Sequence, residues 1–118
     1  MEDNVNKKST IIFAIVVIVI IAVIVAIIIL KIAPKTEEQI VKCIASESRL
    51  YVSRTCSHCA EQKQILGNYT SLFNMTDCLV SPEICSMEGI TRLPTWIIDG
   101  QKYEGIKTIE QLKSMTGC

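Results

Sequence analysis

The 118-residue sequence predicts an α/β domain, a mixed four-stranded sheet flanked by helices, preceded by one transmembrane helix. Three observations carry this expectation. Residues 11–30 hold no charged or polar side chain. Cys56 and Cys59 stand where a short apolar, strand-like run meets a stretch of helical character. Downstream of the apolar block, the patterning runs helix, strand, helix, strand, short helix, hairpin, helix. The central β–α–β would pair its strands in parallel through a right-handed crossover, and the hairpin would add antiparallel strands.

The first element is the anchor. Twenty helical residues reach about 30 Å, the thickness of a bilayer's hydrocarbon core. The chain divides into a head at residues 1–10, a transmembrane helix at 11–32, a linker and short helix at 33–48, and a domain at 49–118. A cleaved signal peptide would have an apolar region of only about 7–15 residues and a small-x-small site after it. Lys31-Ile32-Ala33-Pro34 offers no such site, so an uncleaved signal anchor fits better. Lys7 and Lys8 on one side nearly balance Lys31, Lys35 and Lys42 on the other. The short head and the cysteine-rich domain argue for a single-pass cell-membrane protein with its N-terminus cytoplasmic and its domain outside. The sequons Asn68-Tyr69-Thr70 and Asn74-Met75-Thr76 are compatible with that placement.

The rest follows in chain order. Thr36 and Gln39 read as a capping box. Ile40, Val41, Ile44 and Ala45 then share one helical face, with Cys43 near its edge, through about residue 46. Residues 50–53 form a strand candidate. A helix from Ser57 to about Leu66 ends at Gly67-Asn68. Residues 71–77 are expected to be a second strand. Ser81-Pro82 starts a short helix over 83–87 that stops at Gly89. Residues 93–98 form a strand entered through Pro94, Asp99-Gly100 is a hairpin signal, and 101–104 return. Thr108 caps a last helix, with Ile109, Leu112 and Met115 at helical spacing.

Composition excludes some functions. Twelve basic and twelve acidic residues cancel, and the longest basic run is Lys7-Lys8, so nothing points to nucleic acid. Six cysteines in so short a chain favour an oxidising compartment or a metal site. No cofactor enters the reading.

The chemistry centres on Cys56-Ser57-His58-Cys59. A helix N-terminus carries partial positive charge and free N–H groups that favour a thiolate, which makes Cys56 the candidate nucleophile. Cys59 is the candidate resolving thiol, placed to attack a mixed disulfide on Cys56. His58, the single histidine, is positioned to lend a hydrogen bond or charge to Cys56. Stabilising that thiolate would make the disulfide more oxidising. The bland reading of Cys56 is an inert or permanently bridged cysteine. Cys78 and Cys85 form a second pair around Pro82, either a structural staple or a relay passing oxidising equivalents to Cys56–Cys59. Cys43 and Cys118 pair with each other or stay free. A zinc site would use the four thiols Cys56, Cys59, Cys78 and Cys85, but six residues containing a proline make a poor knuckle.

Taken together, these residues resemble a known family. Cys56-Ser57-His58-Cys59-Ala60-Glu61-Gln62-Lys63, Cys78 and Cys85, Gly89-Ile90, Pro94-Thr95-Trp96-Ile97-Ile98-Asp99-Gly100, Tyr103 and Gly105 look like the thioredoxin-like domain fused to, or partnering, bacterial and archaeal vitamin K epoxide reductase (VKOR) homologues. The resemblance covers residues 36–118. It implies a thioredoxin-like fold in which Pro94 is cis and faces the dithiol, leaving the preceding backbone free to pair with an extended substrate. It also implies a partner, a four-helix membrane enzyme that passes electrons to a quinone; here that enzyme would be a separate chain. Thr55 and Ser57 depart from the Trp and Pro usual in thioredoxins, which leaves the redox potential open. Glu61 is the candidate for the acid that assists the resolving thiol.

The expected function is a membrane-anchored thiol–disulfide oxidoreductase that forms disulfides in extracytoplasmic substrate proteins with cysteine thiols. Cys56, Cys59, His58 and Pro94 would be its site. The rivals are the same chemistry run as a reductase or isomerase, a non-catalytic cysteine-stapled membrane binding module, and a zinc-binding domain.

Overall fold

The computed structural model describes residues 2–32 and 34–118 and contains two compact units, residues 1–34 and 35–118. The first unit is one helix, α1 (Glu2–Ile32). An 18-residue stretch within Lys7–Ile32 has a mean hydropathy of 3.9, and the segment is long and apolar enough to cross a membrane. Phe13, Ile18 and Leu30 are all largely exposed. A helix this apolar all round satisfies its own backbone and needs apolar surroundings for its side chains.

The second unit runs α2 (Glu37–Glu47), β1 (Ser48–Val52), α3 (Ser57–Leu66), a 3-10 helix (Gly67–Leu72), β2 (Asn74–Asp77), α4 (Pro82–Met87), β3 (Thr95–Ile98), β4 (Gln101–Glu104) and α5 (Ile109–Thr116). The sheet order is β2-β1-β3-β4. β1 and β2 are parallel, and the other two pairings are antiparallel. This is the expected mixed sheet with flanking helices, a thioredoxin-like fold.

Local chemistry accounts for the boundaries. Thr36 and Gln39 form the reciprocal capping box at the start of α2, and Thr108 and Gln111 form another at α5. Gly67, with φ of 53°, ends α3 in backbone geometry that suits glycine. Asp99 and Gly100 both take positive φ, 51° and 72°, as a tight two-residue hairpin requires. Three expectations shift. β1, expected at residues 50–53, runs Ser48–Val52. Three of the seven residues 71–77, expected as strand, are taken up by the end of the 3-10 helix and Phe73, because Thr70 Oγ1 donates to the carbonyls of Gly67 and Lys63 and holds that turn. β3 begins after Pro94, because proline cannot donate to a ladder.

The pleat divides the core into two layers. Leu50, Val52, Trp96 and Ile98 face one side of the sheet and pack with Val41 and Ile44 of α2, Cys59 and Leu66 of α3, Phe73, and Leu112 of α5. Tyr51 and Ile97 face the other side and pack with Cys85, Cys78, Ile90 and Leu93. Val41 and Ile44 are fully buried, so the helix within residues 33–48 is part of the domain core. Phe73 meets Trp96 edge to face, with ring centroids 5.6 Å apart.

Candidate active site

The C-terminal ends of β1 and β2 and the start of β3 lie along one edge of the sheet. The turn after β1 is held by short-range bonds. Cys56 N–H donates to Ser53 O at 3.3 Å, Thr55 N–H to Ser53 Oγ at 3.3 Å, and the Ser53 and Thr55 hydroxyls meet at 3.0 Å. Arg54 Nε lies 3.1 Å from Asp77 Oδ2, tying this turn to the end of β2.

Cys56 is the N-cap of α3, a role usually filled by Ser, Thr, Asp or Asn. Its extended backbone (φ −92°, ψ 116°) turns Sγ toward the helix, and Cys59 N–H donates to that sulfur at 3.2 Å. An amide N–H and a helix N-terminus are thus aimed at one sulfur. Cys56 is half-buried and free, and Cys59 is free and fully buried. Burial first, then the neighbouring Cys56 sulfur, push the Cys59 thiol up to about 11. The pair therefore consists of an accessible sulfur that receives an amide and a protonated thiol beneath it.

Opposite stands the Leu93–Pro94 peptide, which is cis. The Cys56 thiol donates to Leu93 O at 3.7 Å. Pro94 is buried, and its carbonyl accepts Gly105 N–H at 2.8 Å. Thus the structure brings Cys56, Cys59 and the Leu93–Pro94 segment together. His58 is exposed on the first turn of α3 and makes no hydrogen bond or ion pair among the described residues. Glu61, expected as an assisting acid, is exposed. The buried polar residues are Ser48, Ser53, Gln62 and Thr95, so no carboxylate is buried among the described residues.

The other four cysteines are in disulfides. Cys78–Cys85 closes a short loop at the end of β2, and Cys78 N–H donates to Val52 O at 2.9 Å. Leu93 packs against both core layers, the one that holds this disulfide and the one against which Cys56 lies. Cys43–Cys118 joins α2 to the residue that follows the C-cap of α5. Two of the four thiols of the zinc alternative are thereby consumed.

Sequence reasoning missed Gln62. It lies fully buried one turn below Cys59, bonded to Trp96 and to the backbone of Lys107. A polar residue three positions after Cys59, on the face that Leu66 continues, was the available signal.

No protein-family model matches the chain. The thiol-disulfide oxidoreductase LTO1 of Arabidopsis thaliana is 29% identical over 79 residues, which is 59% of this chain and 21% of that protein. The chain thus spans about a fifth of the length of that curated relative. Among solved structures, the NTD_N/C domain of the alkylhydroperoxide reductase AhpF of Enterococcus faecalis aligns with a TM-score of 0.47 at 23% identity, covering 70% of this chain and 45% of that one. The oxidised thioredoxin of Plasmodium falciparum aligns with a TM-score of 0.37 at 18% identity, covering 70% and 90%.

Proposed function

We propose that the domain is a membrane-anchored thiol–disulfide oxidoreductase acting on protein cysteines, in the oxidising direction, outside the cytoplasm. One observation carries this reading. Of six cysteines, only Cys56 and Cys59 are free, and they meet at a helix N-terminus with Cys59 N–H on Cys56 Sγ and the Leu93–Pro94 backbone opposite. The name of the Arabidopsis relative supports the same reaction class. Two disulfides and the exposed sequon residues Asn68 and Asn74 favour an extracytoplasmic domain behind a spanning α1.

In the proposed reaction, a substrate thiolate attacks Sγ of Cys56 in the Cys56–Cys59 disulfide. The S–S bond breaks, Cys59 leaves and takes up a proton, and a substrate–Cys56 disulfide forms. A second substrate thiolate then attacks the substrate sulfur of that bond. Cys56 leaves as the thiolate, the substrate gains a disulfide, and two electrons remain on the Cys56–Cys59 pair. Burial pushes the Cys59 thiol up to about 11, so the reduced pair keeps a proton on Cys59. His58, exposed beside Cys56, would add positive charge when protonated and favour release of the Cys56 thiolate. Leu93 and Pro94 would hold the substrate chain. Reoxidation would come from a VKOR-like, quinone-linked membrane enzyme in a separate chain.

The test is a redox titration of the full chain in detergent against glutathione, with free thiols alkylated and located by mass spectrometry. The expected result is one two-electron transition at Cys56–Cys59, with a midpoint nearer about −120 mV than about −270 mV. A midpoint near the lower value makes the domain a reductase. A transition at Cys78–Cys85 alone removes Cys56–Cys59 from the reaction.

A further inference from the structure

Gln62 contributes a buried amide where an apolar side chain would pack with less desolvation. Its neighbours on the inner face of α3, Cys59 and Leu66, are as buried as it is. The amide is well satisfied. Oε1 accepts from Trp96 Nε1 at 3.1 Å and from Lys107 N–H at 2.7 Å, while Nε2 donates to Lys107 O at 2.9 Å. Both acceptor positions of the oxygen are used, which fixes the amide's orientation: a flip would set its NH2 against two N–H donors. Among the described residues, Gln62 is the one side chain of α3 that hydrogen-bonds to β3 or to the segment between β4 and α5. Apolar packing alone would let α3 slide against the sheet. Three directional bonds do not.

The two ends of this clamp are the two halves of the candidate site. On α3, Gln62 lies one turn beyond Cys59. On β3, Trp96 lies two residues beyond Pro94. The contact that depends on this register is the approach of Cys56 Sγ to Leu93 O at 3.7 Å. We propose that Gln62 is a positioning residue for thiol–disulfide exchange: its amide locks the helix that carries Cys56 and Cys59 to the strand that begins at Pro94. The role rests on the exchange reading above. It acts through Cys56 and Leu93 and touches neither substrate nor the reacting sulfurs. The dithiol form gains most from the clamp, because the bond that Cys56 Sγ donates to Leu93 O needs the thiol proton, which the disulfide lacks. Loosening the clamp therefore favours the disulfide.

The test uses the full chain in detergent micelles and two substitutions. Gln62→Met keeps the length and removes all three bonds. Trp96→Phe removes only the bond to β3 and keeps an aromatic ring in the core. Far-UV circular dichroism reports the fold in both, and emission of the single tryptophan reports the indole's surroundings in Gln62→Met. The measured quantity is the equilibrium constant of Cys56–Cys59 with glutathione. Gln62→Met is expected to shift it about tenfold toward the disulfide, and Trp96→Phe about threefold in the same direction. A folded Gln62→Met or Trp96→Phe protein with the wild-type equilibrium constant overturns the role. Loss of fold in both variants makes Gln62 a scaffold residue and overturns it too. If the wild-type chain itself does not exchange with glutathione, the exchange reading fails first, and that result is seen without any variant.

Discussion

Cys56→Ser is expected to lower the rate of exchange with a peptide dithiol or disulfide by on the order of 10³-fold or more, while leaving the fold intact. The two halves of this expectation have different causes. A serine hydroxyl cannot form or leave a disulfide, so the covalent intermediate is lost. Serine is also among the best N-cap residues. It can accept the Cys59 N–H that Cys56 Sγ accepts, so α3 keeps its start. Circular dichroism and the intact Cys43–Cys118 and Cys78–Cys85 bridges serve as controls. A variant that exchanges at the wild-type rate would leave a cysteine-stapled binding module as the better account.

The second large effect is on stability. Cys43 and Cys118 are 75 residues apart in sequence, and their bond closes nearly the whole domain into a ring. Chain entropy assigns such a loop about 4.5 kcal/mol. A small domain has only about 5–15 kcal/mol in total. The Cys43→Ala, Cys118→Ala double variant is therefore expected to melt at least about 15 °C lower. The Cys78–Cys85 bond spans seven residues, for which the same relation gives about 2.5 kcal/mol, so its removal should cost roughly half as much. Thermal denaturation of the full chain in detergent checks both. A melting temperature unchanged by loss of Cys43–Cys118 would mean that packing of α2 on α5 already holds that end of the domain.

Most of the fold was legible because its signals are local. The capping boxes at Thr36 and Thr108, the glycine after Leu66, the proline after Ser81 and the Asp99-Gly100 hairpin each act within a few residues. Cys56 and Cys59 were legible for the same reason: a strand-to-helix junction with two thiols one turn apart. What remained hidden is set by partners distant in sequence. Gln62 had no role assigned from the sequence, because the partners of its amide, Trp96 and Lys107, lie 34 and 45 residues later. Leu93 O became a partner of Cys56 only through a contact across 37 residues. The pairing of Cys43 with Cys118 could not be derived from spacing, because residues so far apart meet only once α2 and α5 pack. The second strand was drawn too long because Thr70 spends its hydroxyl on a turn, a choice that its strand propensity does not reveal.

The most direct test of an exchange site at Cys56–Cys59 is trapping with Cys59→Ala. Without the buried thiol, Cys56 can still attack a disulfide of an oxidised partner or substrate and expel one of its sulfurs as a thiolate, and the mixed disulfide so formed has no internal route to release. The variant, expressed as the full chain, should accumulate covalent, reductant-sensitive adducts on Cys56, and peptide mapping should place the bond at that sulfur. Cys56→Ser in the same background should abolish them. If Cys59→Ala carries no adduct, or if the adducts persist after Cys56→Ser and map to another cysteine, Cys56 is not the exchanging sulfur and the account is wrong.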